Sequence, residues 1–402
     1  MPEESGKSSE FRKIVHLDLD AFFCAVEELH DPSLRNKPFA VGGSPKHRGV
    51  VASCSYAARK FGVRSAMPMS QAVRLCPDLI NVRHSFGNYV DYSKQAMDIL
   101  RTYSAQIQPI SIDEAFLDLS HRSESAEYQA KQIQREIRRQ LSLPSSLGVA
   151  SNKLIAKIAT NVGKASHKGD SYPNAIKIVP AGEEAVFLAP LPSDALWGVG
   201  PKTAGKLSEL GMRTIGDIAA YSFKELERRF GQTGRYLHRR AQGIDDSPVH
   251  SSRETKSVSH EVTYPRDTHD ENKLRETIAR HAQSISKRLG KLELYGSTVK
   301  LKLRWSDFTT ITRQKTLSEP SDKVSEIEQA ALDLLNNYWK AGRKVRLLGV
   351  GVSGLGPPSK QLGLWDWDPE SEARKERLQT ALNGLETRYG AKTVTRASKL
   401  KS

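Results

Sequence analysis

Ser111-Ile112-Asp113-Glu114-Ala115-Phe116-Leu117-Asp118-Leu119 sets two adjacent carboxylates inside an apolar, strand-like run. Unpaired charge buried in a strand is costly. A bound cation would compensate for it, because magnesium prefers hard oxygen ligands and is commonly held by one or two carboxylates together with substrate phosphates. A solvated hairpin turn with two surface acids accounts for the same residues. In a regular strand Asp113 and Glu114 point to opposite faces. Either the hairpin bends here so that both reach a metal, or Asp113 bridges two ions while Glu114 serves one from the side. Asp118 is read as solvated.

Working outward, Lys13-Ile14-Val15-His16-Leu17-Asp18-Leu19-Asp20 alternates as a strand, with His16, Asp18 and Asp20 on one face. Asp20 is placed to cap the helical stretch that runs from Ala21 to His30. Asp18 has no such task and supplies a second acid of the kind the opening stretch needs. Helical spacing marks 86–104, 124–142 and Asn152 to Asn161, and strands are expected at 146–150 and 175–179. This order fits a ferredoxin-like sheet with helices on one face, where Asp18 becomes a neighbour of Asp113 and Glu114.

The 402-residue chain is too long for one ordinary domain, and its 38% hydrophobic content suffices for real cores. Lys+Arg 61 against Asp+Glu 46 leaves +15, which suits a polyanionic partner, nucleic acid first and an anionic membrane surface second. No run approaches a membrane span, the first residues carry no apolar signal core, and three cysteines make neither a disulfide framework nor a zinc site. A cytoplasmic protein without membrane attachment is expected.

Three further stretches carry chemistry. Ser53-Cys54-Ser55-Tyr56-Ala57-Ala58-Arg59 puts Tyr56 and Arg59 on one helix face, where a guanidinium fork suits a triphosphate and an amphipathic surface helix is the plainer account. Gly198-Val199-Gly200 opens a helix in a helix–hairpin–helix pattern, whose free N–H groups, with Lys202 and Lys206, can hold backbone phosphate. Lys300, Lys302 and Arg304 alternate with Val299, Leu301 and Leu303, giving a strand with one packed and one cationic face.

These residues fit a metal-dependent nucleotidyl transferase, with Asp18, Asp113 and Glu114 holding two ions about 4 Å apart. Tyr56 and Arg59 would take phosphates, and Phe22 or Phe23 would lie under the sugar and exclude a 2′ hydroxyl. A two-metal nuclease needs no triphosphate clamp, and a non-catalytic DNA-binding protein needs no clustered acids.

Asp18-Leu19-Asp20-Ala21-Phe22-Phe23, Ser55-Tyr56-Ala57-Ala58-Arg59-Lys60-Phe61-Gly62-Val63, Ser111-Ile112-Asp113-Glu114-Ala115 and the Gly198-Val199-Gly200 hairpin, in that order, resemble the Y-family translesion DNA polymerases. The resemblance covers about 12–365. It implies an α+β, right-hand-like enzyme: a ferredoxin-like palm at 12–22 and 87–180 after a disordered 1–11 leader, small fingers at 23–86 and a helical thumb at 181–242. A 243–255 linker, an α/β little finger at 256–357 and a 358–402 tail would follow. It implies that Asp18, Asp113, Glu114 and the Leu19 carbonyl bind two Mg2+ ions, with Mn2+ as a substitute. Phe23 becomes the steric gate beside Phe22, Ser53, Tyr56 and Arg59 touch the triphosphate, and Gln361, Leu362, Leu364 and Trp365 belong to a sliding-clamp peptide. Such an enzyme works as a monomer on primer-template DNA and deoxynucleoside triphosphates, in the bacterial cytoplasm and at the nucleoid when active. It is error-prone and lacks a proofreading domain.

Two features depart from the family pattern. The Lys before a Pro-x-Gly turn at the end of the palm is replaced by Gly163-Lys164-Ala165-Ser166-His167-Lys168-Gly169, so Lys164, with Lys168 as the alternative, takes the phosphate role. The chain also continues past the clamp peptide to Ser402.

Overall fold

The computed structural model describes residues 11–169, 171–251 and 254–357, and Arg377. The chain divides into two compact units, the first reaching Glu254 and the second beginning at Thr255, with Thr263–Arg266 counted in the first.

The first unit is built on a five-stranded sheet. Its strands are β1 (Ile14–Leu19), β5 (Ile107–Pro109), β6 (Glu114–Asp118), β7 (Ser145–Ala150) and β8 (Ile176–Ile178), in the order β5-β6-β1-β7-β8. β1 lies antiparallel between β6 and β7, and β8 runs parallel to β7. β1 is buried along its whole length, so both faces must be covered. Val15, Leu17 and Leu19 meet α1 (Phe22–His30), α4 (Phe86–Tyr103) and α5 (Ala126–Leu141) in one core. On the other face Ile14 and Phe116 pack with α6 (Lys153–Ser166), through Leu154, Ile155 and Ile158. The expected one-sided helical layer is therefore corrected: helices cover both faces. The apolar stripe of α6 and that of α5 lie on opposite sides of strands too buried for either side to meet water.

Between β1 and α4 a small sheet, ordered β3-β2-β4, comprises β2 (Phe39–Gly42), β3 (Val51–Cys54) and β4 (Ile80–Val82). With α2 (Tyr56–Arg59) and α3 (Met69–Leu75) it encloses its own core around Val51, Ala58, Val63 and Met69. Cys24, Cys54 and Cys76 are buried and free.

After β8 come short helices: α7 (Glu184–Leu188), α8 (Pro201–Glu209), α9 (Ile215–Ala220), α10 (Phe223–Phe230) and α11 (Gln232–Ala241). Their buried Leu207, Ile215, Ile218 and Leu226 continue the α6 core. Residues 243–250, in the stretch read as a linker, have no regular secondary structure but are strapped to the start of α6. Asn152 Nδ2 donates to Gly243 O (2.9 Å), Lys153 Nζ to Pro248 O (2.7 Å) and Leu154 N to Asp245 Oδ2 (3.1 Å), while Val249 is buried.

In the second unit a four-stranded sheet, ordered β11-β10-β12-β9, contains β9 (Ser257–Thr268), β10 (Tyr295–Trp305), β11 (Thr310–Ser321) and β12 (Val345–Gly356). Two helices, α12 (Glu271–Leu292) and α13 (Val324–Tyr338), cover it. Val299, Leu301 and Leu303 are buried, as the alternation along β10 requires.

Candidate active site

The two acidic stretches meet at the centre of the first sheet. Asp18 and Glu114 are register partners across β1 and β6, and Leu19 N donates to Asp113 O at 3.0 Å. The conflict between adjacent acids and strand alternation is resolved by a bend. β6 begins at Glu114, and Ser111–Asp113 form the turn before it, closed by Ile110 N donating to Glu114 O (3.0 Å). Ser93 Oγ on α4 also donates to Ile112 O and steadies the loop. Asp113 accepts from Ser111 Oγ, so its carboxylate is turned onto its own loop. Among the described residues no three acidic, His or Cys side chains converge closely enough to hold an ion as they stand.

Cations of α6 stand against the other two acids. Lys164 Nζ contacts Asp18 Oδ1 (2.5 Å), and Lys157 Nζ contacts Glu114 Oε1 and Oε2 (2.9 and 2.8 Å). Burial pushes the Asp18 carboxyl up to about 7, Lys164 opposes the rise, and the adjacent Glu114 charge adds to it. Burial pulls Lys164 down, but Asp18 and Asp20 outweigh it and hold the ammonium above the ordinary lysine range. Two facing carboxylates, each already paired with a cation, make a hard-oxygen set that fits a divalent metal. Rotation of Asp113 off Ser111 would complete it.

Asp20 does something other than expected. The N-cap of α1 is Ala21, in the left-handed region at φ 42°, with no side-chain cap bond. Asp20 is fully buried and accepts from Ser146 Oγ (2.9 Å to each oxygen) and Asn174 N (3.0 Å), with Lys164 Nζ at 3.3 Å. It ties β1, β7 and the approach to β8 together. The residue is one short of the cap position because Ala21 takes the turn.

The Arg59 guanidinium lies 4.3 Å from the Tyr56 ring centre on α2, the shared face that their spacing implied. The Tyr56 hydroxyl is buried with no hydrogen-bond partner among the described residues, so an acceptor is wanted there. Ser53 is buried on β3, within 3.5 Å of Cys24 Sγ. Phe22 is in the core, whereas Phe23 is part-buried and stacks on Tyr89 (4.3 Å, 16°), whose hydroxyl donates to Glu27.

Further from the centre, Gly198 turns at φ 103°, and Gly200 starts α8 with no side-chain cap, leaving backbone N–H groups beside exposed Lys202. Lys206 is on the same helix. Along β10, Lys302 pairs with Glu261 (2.8 Å) and Arg304 Nε donates to Thr310 Oγ1 (2.9 Å), so part of that row's charge is already engaged; Lys300 shares their face. Gln361, Leu362, Leu364 and Trp365 lie outside the described residues.

Sequence reading assigned no role to Lys157, His16, Tyr89 or Trp197. Lys157 precedes Lys164 by two helical turns on one face of α6, a spacing that could have found it.

Residues 17–161 match the impB/mucB/samB family, 255–364 match its C-terminal domain, and 194–245 match the thumb domain of DNA polymerase-iota. The DNA polymerase IV of Dehalococcoides mccartyi strain CBDB1 is 40% identical over 387 residues, covering 95% of this chain and 96% of that protein. The DNA polymerase IV of Listeria innocua serovar 6a is 41% identical over 349 residues, covering 86% and 96%. Among solved structures, a Y-family DNA polymerase chimera aligns with TM-score 0.75 at 26% identity, over 86% of this chain and 99% of that one. The insertion ternary complex of Dbh DNA polymerase aligns with TM-score 0.61 at 28% identity, over 85% and 98%. The fold is thus the mixed α+β hand of palm, fingers, helix–hairpin–helix thumb and little finger, and the chain belongs to the Y-family of translesion DNA polymerases.

Proposed function

We propose that this DNA-directed DNA polymerase extends a primer at Asp18, Asp113 and Glu114, with two Mg2+ ions, replaceable by Mn2+, held by these carboxylates and the Leu19 carbonyl. The observation that carries the reading is the Asp18–Glu114 register pair with a lysine against each acid. When bound, the ions activate the primer 3′ hydroxyl and neutralise charge on the departing pyrophosphate. Tyr56 and Arg59 grip the triphosphate, the Tyr56 hydroxyl gaining the partner it lacks among the described residues. Ser53 lines the same pocket. Lys164, already at the carboxylates, serves the triphosphate in preference to Lys168. Phe23, backed by Tyr89, sits under the sugar as steric gate, and Phe22 packs behind it.

The domain limits given above are part of this reading, as are phosphate contacts from Gly198, Gly200, Lys202 and Lys206 and from Lys300, Lys302 and Arg304. So are a monomeric state, the bacterial cytoplasm as location, and a sliding clamp that engages 361–365. No helix among the described residues is long and apolar enough to cross a membrane.

Template-directed extension with four deoxynucleotides and Mg2+ tests the proposal. Ordered extension that stops in Asp113→Ala while primer-template binding persists supports it. Shortening of the primer would favour a nuclease, and binding without either reaction would leave a DNA-binding protein.

A further inference from the structure

Lys157 is not needed for the triphosphate reading, yet its ammonium is held from three directions near the site. Its ammonium contacts both Glu114 oxygens, comes within 3.5 Å of His16 Nε2 and lies 6.0 Å from the Trp197 ring centre. Its side chain is 14% exposed.

The imidazole fixes how this contact works. His16 is fully buried and packs against Phe116 (4.8 Å). Its Nδ1 is 2.9 Å from Thr160 Oγ1. That hydroxyl also reaches two carbonyl oxygens, Ala156 O at 3.0 Å and His16 O at 3.3 Å, which can only accept. Lys157 Nζ can only donate, so the ring proton sits on Nδ1, Oγ1 accepts it, and the Thr160 proton goes to a carbonyl. Nε2 is left with its lone pair facing Lys157. Thr160, His16, Lys157 and Glu114 form one directed chain of contacts from the middle of α6 across β1 to the first residue of β6.

We propose that Lys157 is a positioning residue, a resident cation aimed by His16 and Thr160 that keeps Glu114 facing Asp18 and yields its oxygens to a divalent ion. The proposal rests on the reading of Glu114 as a metal ligand. Without a cation, Glu114 and Asp18 are like charges brought together by strand register and repel. An ammonium bonded to both oxygens of Glu114 occupies the lone pairs that a metal would use, and two cations cannot share them closely. Lys157 thus stabilises the metal-free site and competes with the metal. The Trp197 face offers the displaced ammonium a resting place.

Mn2+ binding to the full chain, without DNA or nucleotide, tests this by electron paramagnetic resonance of the free ion. Lys157→Gln should bind Mn2+ about fivefold more tightly, at the low end of ordinary coupling between linked ligands. Lys157→Arg should restore wild-type affinity. Thr160→Val, which removes the group that orients His16, should fall between. Without metal, Lys157→Gln should melt lower than wild type, and Mn2+ should close the gap. In a Glu114→Gln background, tight binding and the effect of residue 157 should both vanish. Wild-type or weaker affinity in Lys157→Gln, with the site lost in Glu114→Gln, overturns the proposal alone. Full affinity in Glu114→Gln overturns the ligand reading and the proposal together.

Discussion

Asp18 and Asp20 reach the same lysine from one strand end, Lys164 Nζ standing 2.5 Å from Asp18 Oδ1 and 3.3 Å from Asp20 Oδ1, yet their surroundings give them opposite tasks. Asp18 takes a hydrogen bond from Lys164 and faces the like-charged Glu114, and burial raises its carboxyl to about 7. Asp20 is saturated by Ser146 and Asn174. Asp18→Asn should therefore abolish primer extension with little change in melting temperature, since it removes a disfavoured charge. Asp20→Ala should cost about 3–5 kcal/mol of stability, the usual loss when a buried charged network is broken from one side. Extension assays and thermal melting of both variants check the contrast.

Phe23, proposed above as the steric gate, is part-buried and stacks face to face on Tyr89. A rigid gate is worth more than a loose one because it rejects a 2′ hydroxyl by overlap. Phe23→Ala should lower the preference for deoxy- over ribonucleotides by about tenfold or more, the scale on which one group in a shaped pocket discriminates. Single-turnover incorporation of both nucleotides measures it, and Phe22→Leu serves as the core-packing comparison.

Much of this is legible in the amino-acid sequence alone. β1, the paired acids, the Tyr56–Arg59 face and the buried row of β10 follow from periods of two and of three to four residues, which survive folding because they record which side is buried. A bend before β6 is one of two openings the sequence leaves for bringing both acids to a metal; the chain does bend at 111–113, with Asp113 turned onto Ser111. What the sequence hid is what depends on contacts across the sheet. Asp20 looks like a helix cap until Ser146 and Asn174, far along the chain, claim it. His16 looks like an ordinary polar residue on a strand until Thr160 and Lys157 arrive on α6. Helices on both sides of the sheet were missed because nothing local says which side a crossover takes.

Gly148 couples this packing to the site. A Cβ there would lie 2.0 Å from Ala156 O, 2.6 Å from Thr160 N and 2.7 Å from Thr160 Oγ1. The two nearest of these atoms are backbone of α6, so the helix itself must move. Gly148→Ala should cost about 1–3 kcal/mol or more, as overpacking does. Because α6 carries Lys157 and Lys164, extension should fall as well, even below the melting transition. Thermal melting and extension at a temperature where the variant is folded separate the two losses.

The clamp reading is independent of the catalytic one. Deleting 361–365 should leave basal extension unchanged and remove stimulation by a bacterial sliding clamp. Primer extension on a long template with and without loaded clamp reads this directly, and retained stimulation would exclude these residues as the contact.

The second unit should respond to acid through one histidine pair. His260 Nδ1 and His281 Nδ1 are 2.8 Å apart with their rings perpendicular (89°), so one nitrogen donates and the other must keep its lone pair. Burial lowers His281 to about 4 from 6.5, the facing His260 adds to the fall, and Arg280 pushes the same way while Glu261 opposes it. Because the folded value lies below the unfolded one, the unfolded chain takes up a proton below pH 6.5 that the folded chain refuses until about 4. The contribution is complete above pH 6.5 and drains away as pH falls toward 4. His281→Phe, which keeps a ring of similar size, should flatten that slope while changing stability less at pH 8. Urea unfolding from pH 4 to pH 8, followed by tryptophan fluorescence, checks it. An unchanged acid slope in the variant would assign the sensitivity to other groups.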